Sequence, residues 1–171
     1  MEKLIYVPNP LLRQKAEKIH SVGIEEINIA KKMRNIMLNA PGVGLAANQI
    51  GILKQIVTIC YLDKETEKEI KYNLYNPNIL SYSTETIVME EGCLSVPEQF
   101  IEIERPKKIT FEYLNDNNKI IKKEADGIES RILQHEIDHL SGKLFIDFIS
   151  PLKRNIIIKK VKKYLRNKQN V

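Results

Sequence analysis

Residues 126–142 read DGIESRILQHEIDHLSG, and this stretch decides how the chain folds. Apolar and histidine side chains recur in it at spacings of three and four residues, which is the period of an amphipathic helix: Ile128, Ile132, His135 and His139. Ser141-Gly142 then provides a common signal for a helix end. The stretch therefore predicts one helix of about four turns.

Six upstream segments are rich in β-branched and aromatic residues, which predicts strands at 55–62, 69–75, 86–89, 100–104, 108–114 and 119–124. In the fifth segment, Ile109, Phe111 and Tyr113 alternate with other residues, so one face of that strand is apolar. The run Asn115-Asp116-Asn117-Asn118 predicts a turn into the last strand.

Helices are predicted on both sides of these strands. Asn9 suits an N-cap and Pro10 suits the first helical position, which predicts a short helix over 10–19. A second helix is predicted over 25–39. Pro151 opens a C-terminal amphipathic helix whose lysine-rich face lies opposite an apolar stripe of Ile157, Val161, Tyr164 and Leu165. This order of elements predicts one domain over residues 1–171, of the α+β class with mostly antiparallel strands.

Composition is that of an ordinary globular protein, with 43% hydrophobic and 29% charged residues among 171. No stretch approaches the ~18 apolar residues of a membrane helix, and the N-terminal residues do not resemble a secretory signal. The two cysteines, Cys60 and Cys93, are too few for a disulfide framework, which favours a reducing compartment. We therefore expect a complete cytoplasmic chain without a membrane partner.

The net charge of +5 is concentrated near the C-terminus. Residues 152–168 contain eight Lys or Arg and no Asp or Glu, whereas acidic residues outnumber basic ones in the remainder. A helix of this kind usually packs by its apolar stripe and leaves its cationic face in solvent. The alternative is a basic module that binds nucleic acid.

His135 and His139 are four residues apart, so a helix places both imidazoles on one face, where they can bind one metal ion. Glu136 follows the first histidine and can act as general base toward water on that metal. Two histidines on a helix can also be ordinary core or surface residues. The chain has only three histidines, however, and two of them belong to this pattern, which favours a metal site.

A catalytic site of this kind takes a third protein ligand and leaves one position open. No histidine follows His139, and the only downstream acid is Asp147. Upstream, Cys93 follows a glycine in a turn-like context, whereas Cys60 lies in an apolar strand and is interpreted as a packing residue. One thiolate with two imidazoles suits a divalent transition metal and excludes Mg²⁺ or Ca²⁺.

A further stretch, GVGLAANQIG at 42–51, resembles a glycine-rich turn before a strand. It is not a phosphate loop, because no Gly-Lys-Ser/Thr follows and no strand precedes it. Its glycines could bring the backbone close to a ligand and direct the Gln49 amide into a site.

Three stretches, GVGLAANQIG (42–51), EGCLSVP (91–97) and QHEIDHL (134–140), together resemble the three signature motifs of the peptide deformylase family, in the family's order. Shorter similarities occur at 9–13, 75–77, 124–127 and 142–145, so the resemblance extends from near the N-terminus to the start of the basic segment. It implies antiparallel β-sheets packed around a central helix that bears the HExxH pair, with a C-terminal amphipathic helix.

The resemblance also implies a function. The family removes the N-formyl group from the N-terminal formyl-methionine of newly made polypeptides and releases formate. Cys93, His135 and His139 would bind one divalent transition metal, which is Fe(II) in the family, with Zn, Ni or Co as replacements. A hydroxide on that metal would attack the formyl carbon, with Glu136 as general base and acid.

Roles in substrate binding follow from the same resemblance. Gln49 and the backbone N–H of Leu94 would hold the formyl oxygen. Gly44 would line the cleft, where the peptide adds as a strand beside residues 42–44. The apolar subsite for the methionine side chain is expected to include Val43, Met89 and Ile128.

The expected partner is an N-formyl-methionyl nascent peptide, with no specific DNA. We also hypothesise contact with ribosomal RNA through Lys159, Lys160, Lys162 and Lys163. Three alternatives remain at this stage. An HExxH endopeptidase usually takes its third ligand downstream, a basic binding module would use only the C-terminal helix, and a structural metal site would not leave an open coordination position.

Overall fold

The computed structural model describes residues 3–64 and 66–169. Three α-helices are present: α1 (Ile24–Leu38), α2 (Gly127–Leu140) and α3 (Pro151–Gln169). Seven strands are present: β1 (Gly44–Ala46), β2 (Ile56–Asp63), β3 (Lys68–Tyr82), β4 (Thr86–Cys93), β5 (Val96–Pro106), β6 (Lys108–Leu114) and β7 (Ile120–Asp126). Short 3₁₀ helices cover Pro10–Arg13, Ala47–Ile50 and Phe145–Phe148.

The strands form two separate sheets. Five of them are paired antiparallel in the order β1-β2-β3-β6-β7. The other two, β4 and β5, form an antiparallel hairpin that shares no strand with the larger sheet. The predicted α+β class with antiparallel strands is therefore confirmed.

Strand β2 explains why the large sheet lies between two helices. Val57 and Ile59 pack in the cluster that contains α2 residues Ile132 and Leu133. Their neighbours Ile56 and Cys60 point the other way, into the cluster that contains Met33 and other residues of α1. A strand buried on both faces has a continuous apolar sequence, and this is why β2 was easy to predict.

A third apolar cluster joins the hairpin to the chain ends. Val96 and Ile103 of β5 pack with Val7, Phe145 and the fully buried Val161 of α3. The predicted C-terminal amphipathic helix is confirmed, since Ile157 and Leu165 pack against the same cluster and the lysines face solvent. No helix in the described part of the chain is long and apolar enough to cross a membrane.

The predicted helix over 10–19 is wrong beyond Arg13. Asn9 does cap the first turn by accepting a hydrogen bond from the Leu11 N–H at 3.0 Å. From Gln14 the chain is extended, because its backbone bonds go elsewhere: the Ala16 N–H donates to Leu140 O (2.8 Å), and the Glu17 N–H donates to Leu53 O (2.9 Å). Distant partners, which local sequence does not report, replace the helical ones.

Strand boundaries differ from the prediction in the hairpin region. Strands β3, β4 and β5 extend well past the predicted 69–75, 86–89 and 100–104. The short strand β1 was expected only as part of a turn. In β4 the extension past Met89 begins with Glu90, a charged residue at a solvent-facing position of the paired strand, which interrupts the apolar pattern.

Gly142 ends α2 in a Schellman arrangement: its N–H donates to His139 O (2.9 Å), and the Lys143 N–H donates to Asp138 O (3.0 Å). Its φ is +73°, and a β-carbon there would lie 2.2 Å from the Arg13 carbonyl oxygen. Gly127 also has positive φ, +53°, but a β-carbon there would meet nothing within 4 Å. An alanine at residue 127 would therefore suffer backbone strain alone, whereas an alanine at residue 142 would suffer the same strain together with a steric overlap.

We expect Gly127→Ala to lower the free energy of unfolding by roughly 1–2 kcal/mol, the cost of the left-handed conformation. Gly142→Ala should cost about 2 kcal/mol more, since the Arg13 backbone must also move. Urea denaturation of the two variants measures this difference. Equal destabilisation would mean that the contact with Arg13 does not constrain the end of α2.

Candidate metal centre and active site

Three potential metal ligands converge between the hairpin and α2. Cys93 is the last residue of β4, and His135 and His139 lie on one face of α2. One ligand atom from each lies within 4.8 Å of the others. The Nε2 atom of His139 is 3.4 Å from the Cys93 sulfur and 3.3 Å from Nε2 of His135. The structure thus brings together the three residues singled out in the sequence.

The cluster has the dimensions and chemistry of a transition-metal site. Ligands that share a tetrahedral ion with bonds of about 2.1–2.3 Å are separated by roughly 3.4–3.7 Å, close to the distances found here. Sulfur and imidazole nitrogen suit Fe, Zn, Ni or Co rather than Mg or Ca. The adjacent Glu136 has a buried oxygen, Oε2, with no hydrogen-bond partner among the described residues, as expected beside a position that a bound water would occupy. These residues can therefore hold such a metal.

Glu91 orients His135. The His135 Nδ1 and Glu91 Oε2 atoms are 2.9 Å apart. The Glu91 carboxylate accepts hydrogen bonds, so His135 donates from Nδ1 and keeps its Nε2 lone pair directed at the cluster. Burial opposes ionisation of Glu91, but hydrogen bonds from His135 and Arg105 outweigh it and lower its pKa.

Two buried arginines neutralise Glu91. Arg105 makes a two-pronged ion pair with it, at 2.6 and 3.1 Å, and extends a third nitrogen to Asp138 at 2.7 Å. Arg131 donates to the same carboxylate at 2.8 Å. All three charged residues of this cluster, Glu91, Arg105 and Arg131, are at most 5% exposed. A charged group at that depth requires such partners.

Glu136 lies under Gly44 of β1. A β-carbon on residue 44 would be 2.6 Å from the Glu136 Oε1 atom, so only glycine leaves room for this carboxyl group. Burial raises the pKa of Glu136 to about 7, while His135 acts in the opposite direction. A carboxyl group with a pKa near neutrality can both accept and return a proton at physiological pH.

Gln49 is held with its NH₂ group toward the cluster. Its Oε1 accepts a hydrogen bond from the Ala46 N–H at 2.8 Å, which sets the orientation of the amide. The Nε2 atom is 3.2 Å from Ser95 Oγ and 3.5 Å from the Cys93 sulfur. Gln49 is 1% exposed and is therefore held firmly beside the three potential metal ligands.

A cavity of about 550 Å³ opens beside these residues. Its lining includes His135, Glu136, Gln49, Cys93 and Leu94, together with the predicted Val43 and Gly44. Both chain ends contribute to the same cavity, with Leu4 and Tyr6 on one side and Tyr164 and Lys168 of α3 on another. The cavity is large enough for several residues of an extended peptide.

Two predicted residues are not brought to the lining of this cavity. Met89 lies on β4 opposite Ile103 and is partly exposed. Ile128 lies in the first turn of α2 and is 46% exposed. Their assignment to a subsite for methionine stays a prediction.

Four polar residues near the site were missed in the sequence: Glu91, Ser95, Arg105 and Arg131. A signal existed for two of them. Glu91 lies two positions before Cys93, on the same face of a strand, and Arg131 lies four before His135, on the same face of a helix. Arg105 and Ser95 carry no comparable spacing, because their partners are distant in sequence.

Cobalt provides a test of the ligand set that needs no catalytic assay. Co(II) added to metal-free protein should produce a sulfur-to-cobalt charge-transfer band, since Cys93 contributes a thiolate. Cys93→Ser should abolish that band, whereas Cys60→Ser should retain it, because Cys60 is buried on β2 away from the cluster. Persistence of the band in Cys93→Ser would show that the metal is bound elsewhere.

Comparison with known proteins agrees with this geometry. A sequence model of the polypeptide deformylase family matches residues 1–155. A peptide deformylase of Agrobacterium fabrum is 44% identical over 168 residues, covering 98% of each chain. The crystal structure of peptide deformylase from Ehrlichia chaffeensis has a TM-score of 0.92 at 34% identity, again covering 98% of each chain.

A third similar structure is the Met-Ala-Ser-bound class I type b peptide deformylase from Acinetobacter baumannii. Its TM-score is 0.80 at 30% identity, and the similarity covers 87% of this chain and 100% of that one. Sequence and fold therefore agree over nearly the whole length of the protein, and the chain belongs to the polypeptide deformylase family of enzymes.

Proposed function

We propose that this enzyme removes the formyl group from the N-terminal formyl-methionine of newly made polypeptides, and that residues 1–171 act as one cytoplasmic catalytic domain. The observation that carries the proposal is the convergence of Cys93, His135 and His139 next to Glu136 in a peptide-sized cavity. The reaction consumes water and cleaves the formamide C–N bond. Its products are formate and a free N-terminal amine.

The three-residue cluster would hold one divalent metal, with Fe(II) as the proposed native ion and Zn, Ni or Co as replacements. When bound, such a metal is a Lewis acid that lowers the pKa of water and polarises a carbonyl oxygen. Three protein ligands would leave a tetrahedral ion one position for water or substrate, which argues against a purely structural site. An endopeptidase role is not favoured, because the third ligand is the upstream Cys93 and the relatives are deformylases.

Glu136 would move the proton. As water adds to the formyl carbon, the carboxylate accepts one of its protons, and it then delivers that proton to the nitrogen as the C–N bond breaks. Its pKa of about 7 suits both steps. The absence of a side chain at Gly44 lets the carboxyl group stay close to the cavity.

Gln49 and the backbone N–H of Leu94 would stabilise the negative charge that develops on the formyl oxygen. The support for Gln49 is its fixed amide, whose donor group faces the Cys93 sulfur. Leu94 lines the cavity directly after Cys93. Donors that are fixed in position before reaction stabilise a developing oxyanion without reorganisation, an effect worth roughly 3–4 kcal/mol for a single donor.

The peptide would enter as an extended strand beside residues 42–44, where β1 is the edge strand of the large sheet. Val43 and Gly44 line the cavity there, and Met89 and Ile128 remain predicted contacts of the methionine side chain. The Acinetobacter baumannii relative binds Met-Ala-Ser, the peptide that remains after formyl-Met-Ala-Ser loses its formyl group. That likeness supports a formyl-methionyl peptide as substrate.

Formate release from formyl-Met-Ala-Ser, by protein purified without oxygen, tests this function. We expect formate from that peptide, no acetate from acetyl-Met-Ala-Ser, and loss of activity with a chelator. Glu136→Gln should reduce kcat by a factor of about 10²–10⁴, because the proton acceptor is removed. The matched change Glu90→Gln, at an exposed residue of β4, should leave kcat unchanged.

No formate from metal-loaded protein would refute the proposed reaction. Equal turnover of formyl and acetyl peptides would refute the proposed specificity, and full activity of Glu136→Gln would refute the role of that residue.

We also propose that the basic face of α3 brings the enzyme to the ribosome, where N-formyl peptides emerge. Lys159, Lys160, Lys162 and Lys163 are exposed, while Val161 between them is buried and fixes the helix to the body. An exposed cationic helix face suits a phosphate backbone. The same helix lines the peptide cavity with Tyr164 and Lys168, so a ribosome bound to its basic face would lie close to the candidate site.

Replacing these four lysines with glutamate should reduce co-sedimentation with ribosomes in low salt, since each lost cation removes an electrostatic contact. Turnover of formyl-Met-Ala-Ser should not change, because none of the four lines the cavity. Unchanged co-sedimentation would refute this interaction and leave a packed helix with a solvated face.

A further inference from the structure

The β4–β5 hairpin carries Cys93 but shares no strand pairing with the large sheet in the described part of the chain. The two histidine ligands lie instead on α2, which packs against that sheet. The distance from thiolate to imidazoles is therefore not set by backbone hydrogen bonds within one sheet. Side-chain contacts between the hairpin and α2 help to set it.

Arg131 makes three such contacts from α2. Its Nη1 atom donates to Glu91 Oε1 at 2.8 Å and to Ile103 O at 2.9 Å, and its Nη2 atom donates to Ile87 O at 2.6 Å. Glu91 and Ile87 belong to β4, and Ile103 belongs to β5. One guanidinium group thus hydrogen-bonds to both strands of the hairpin.

The position of Arg131 on α2 links its bonds to the hairpin with the proposed metal ligands. It lies four residues before His135, so both side chains leave the same face of the helix. Glu91, which Arg131 contacts, is two residues before Cys93 and also binds His135. Arg131 is 4% exposed. It contacts Glu91, which hydrogen-bonds to His135, and it also contacts the backbone of β4, the strand that ends at Cys93.

Charge neutralisation alone does not account for these contacts. Arg105 already makes a two-pronged ion pair with Glu91. Two of the three Arg131 bonds go to neutral backbone carbonyls, one on each strand, and contribute nothing to the charge balance of the carboxylate. They do restrict where the hairpin can lie relative to α2.

We propose that Arg131 is a positioning residue that sets the separation between Cys93 and the His135–His139 pair, and so keeps the ligand set at the size of a transition-metal ion. Without the three Arg131 bonds, fewer contacts hold the hairpin to α2, among them Arg105–Asp138 and Glu91–His135, so its position along the helix is less restricted. Ile87 O and Ile103 O also lose a buried donor. The inference rests on the proposed metal centre. It assigns to Arg131 no contact with substrate.

Metal affinity tests the inference independently of turnover. Arg131→Met keeps an unbranched apolar stem that reaches about as far as the arginine Nε atom, and it removes every donor. Removing an outer partner of a metal site typically costs roughly 10–100-fold in affinity, so we expect a loss of that size in the dissociation constant for Co(II). The charge-transfer band of the bound Co(II) should shift, since the thiolate geometry changes.

Arg131→Lys distinguishes the effect of the positive charge from the effect of the hydrogen bonds to both strands. It keeps a cation beside Glu91, but an ammonium group cannot reproduce the planar fork across both strands. We expect it to bind Co(II) about tenfold more weakly than the parent, at the lower end of the range for outer partners. If Arg131→Lys binds as tightly as the parent with the same spectrum, charge alone suffices and the positioning role is refuted.

Arg154→Met is the matched control for stability. Arg154 also donates to backbone carbonyls, Ile146 O at 3.0 Å and Asp147 O at 3.3 Å, but on α3 away from the ligands. Urea denaturation of the metal-free proteins gives the free energy of unfolding of each variant, so a loss of metal affinity can be compared with any loss of stability. An affinity loss in Arg154→Met equal to that in Arg131→Met would refute a specific role.

The parent protein distinguishes the two proposals. If it shows no tight Co(II) binding and no thiolate band, the proposed metal centre fails. If the parent binds Co(II) and both Arg131 variants bind it equally well, only the positioning role fails.

Discussion

The structure around the site depends on one buried carboxylate, that of Glu91. An unpaired carboxylate at this depth would be costly, so every oxygen must find donors. Those donors come from Arg105 on β5 and from Arg131 and His135 on α2. The hydrogen bonds to this one carboxylate therefore hold the hairpin against α2. They also fix the tautomer of His135, whose Nδ1 donates to Glu91 and whose Nε2 points toward Cys93 and His139. Packing of apolar residues alone would not specify these three things together.

The apolar core supplies the fixed frame for that carboxylate. Strand β2 is buried on both faces and holds α1 and α2 on opposite sides of the large sheet. The hairpin and α3 form a third packed unit with the N-terminal segment. The candidate site lies where α2 and its side of the large sheet meet this third unit, so the cysteine comes from the third unit and the histidines come from α2.

Periodic features of the sequence were enough to predict much of the architecture. The helical spacing around His135 and the continuous apolar run of β2 can each be recognised within a short stretch of sequence, and both elements lie where they are predicted. The segment after Arg13 was mispredicted because its hydrogen bonds go to Leu140 and Leu53, which no local pattern reports. Arg105 and Ser95 were missed for the same reason. Their roles arise from neighbours that become neighbours only when the chain folds.

Among the described residues, no strand pairs with the outer side of β1. An unpaired sheet edge can pair with the edges of other molecules, and many proteins protect theirs with charged residues or by keeping the edge strand short. Here β1 has only three residues, all of them buried, and a 3₁₀ turn follows at once. In the proposed binding mode, a single extended chain end would reach this short edge. The edge strand of a second folded sheet would find too few accessible backbone groups there for stable pairing.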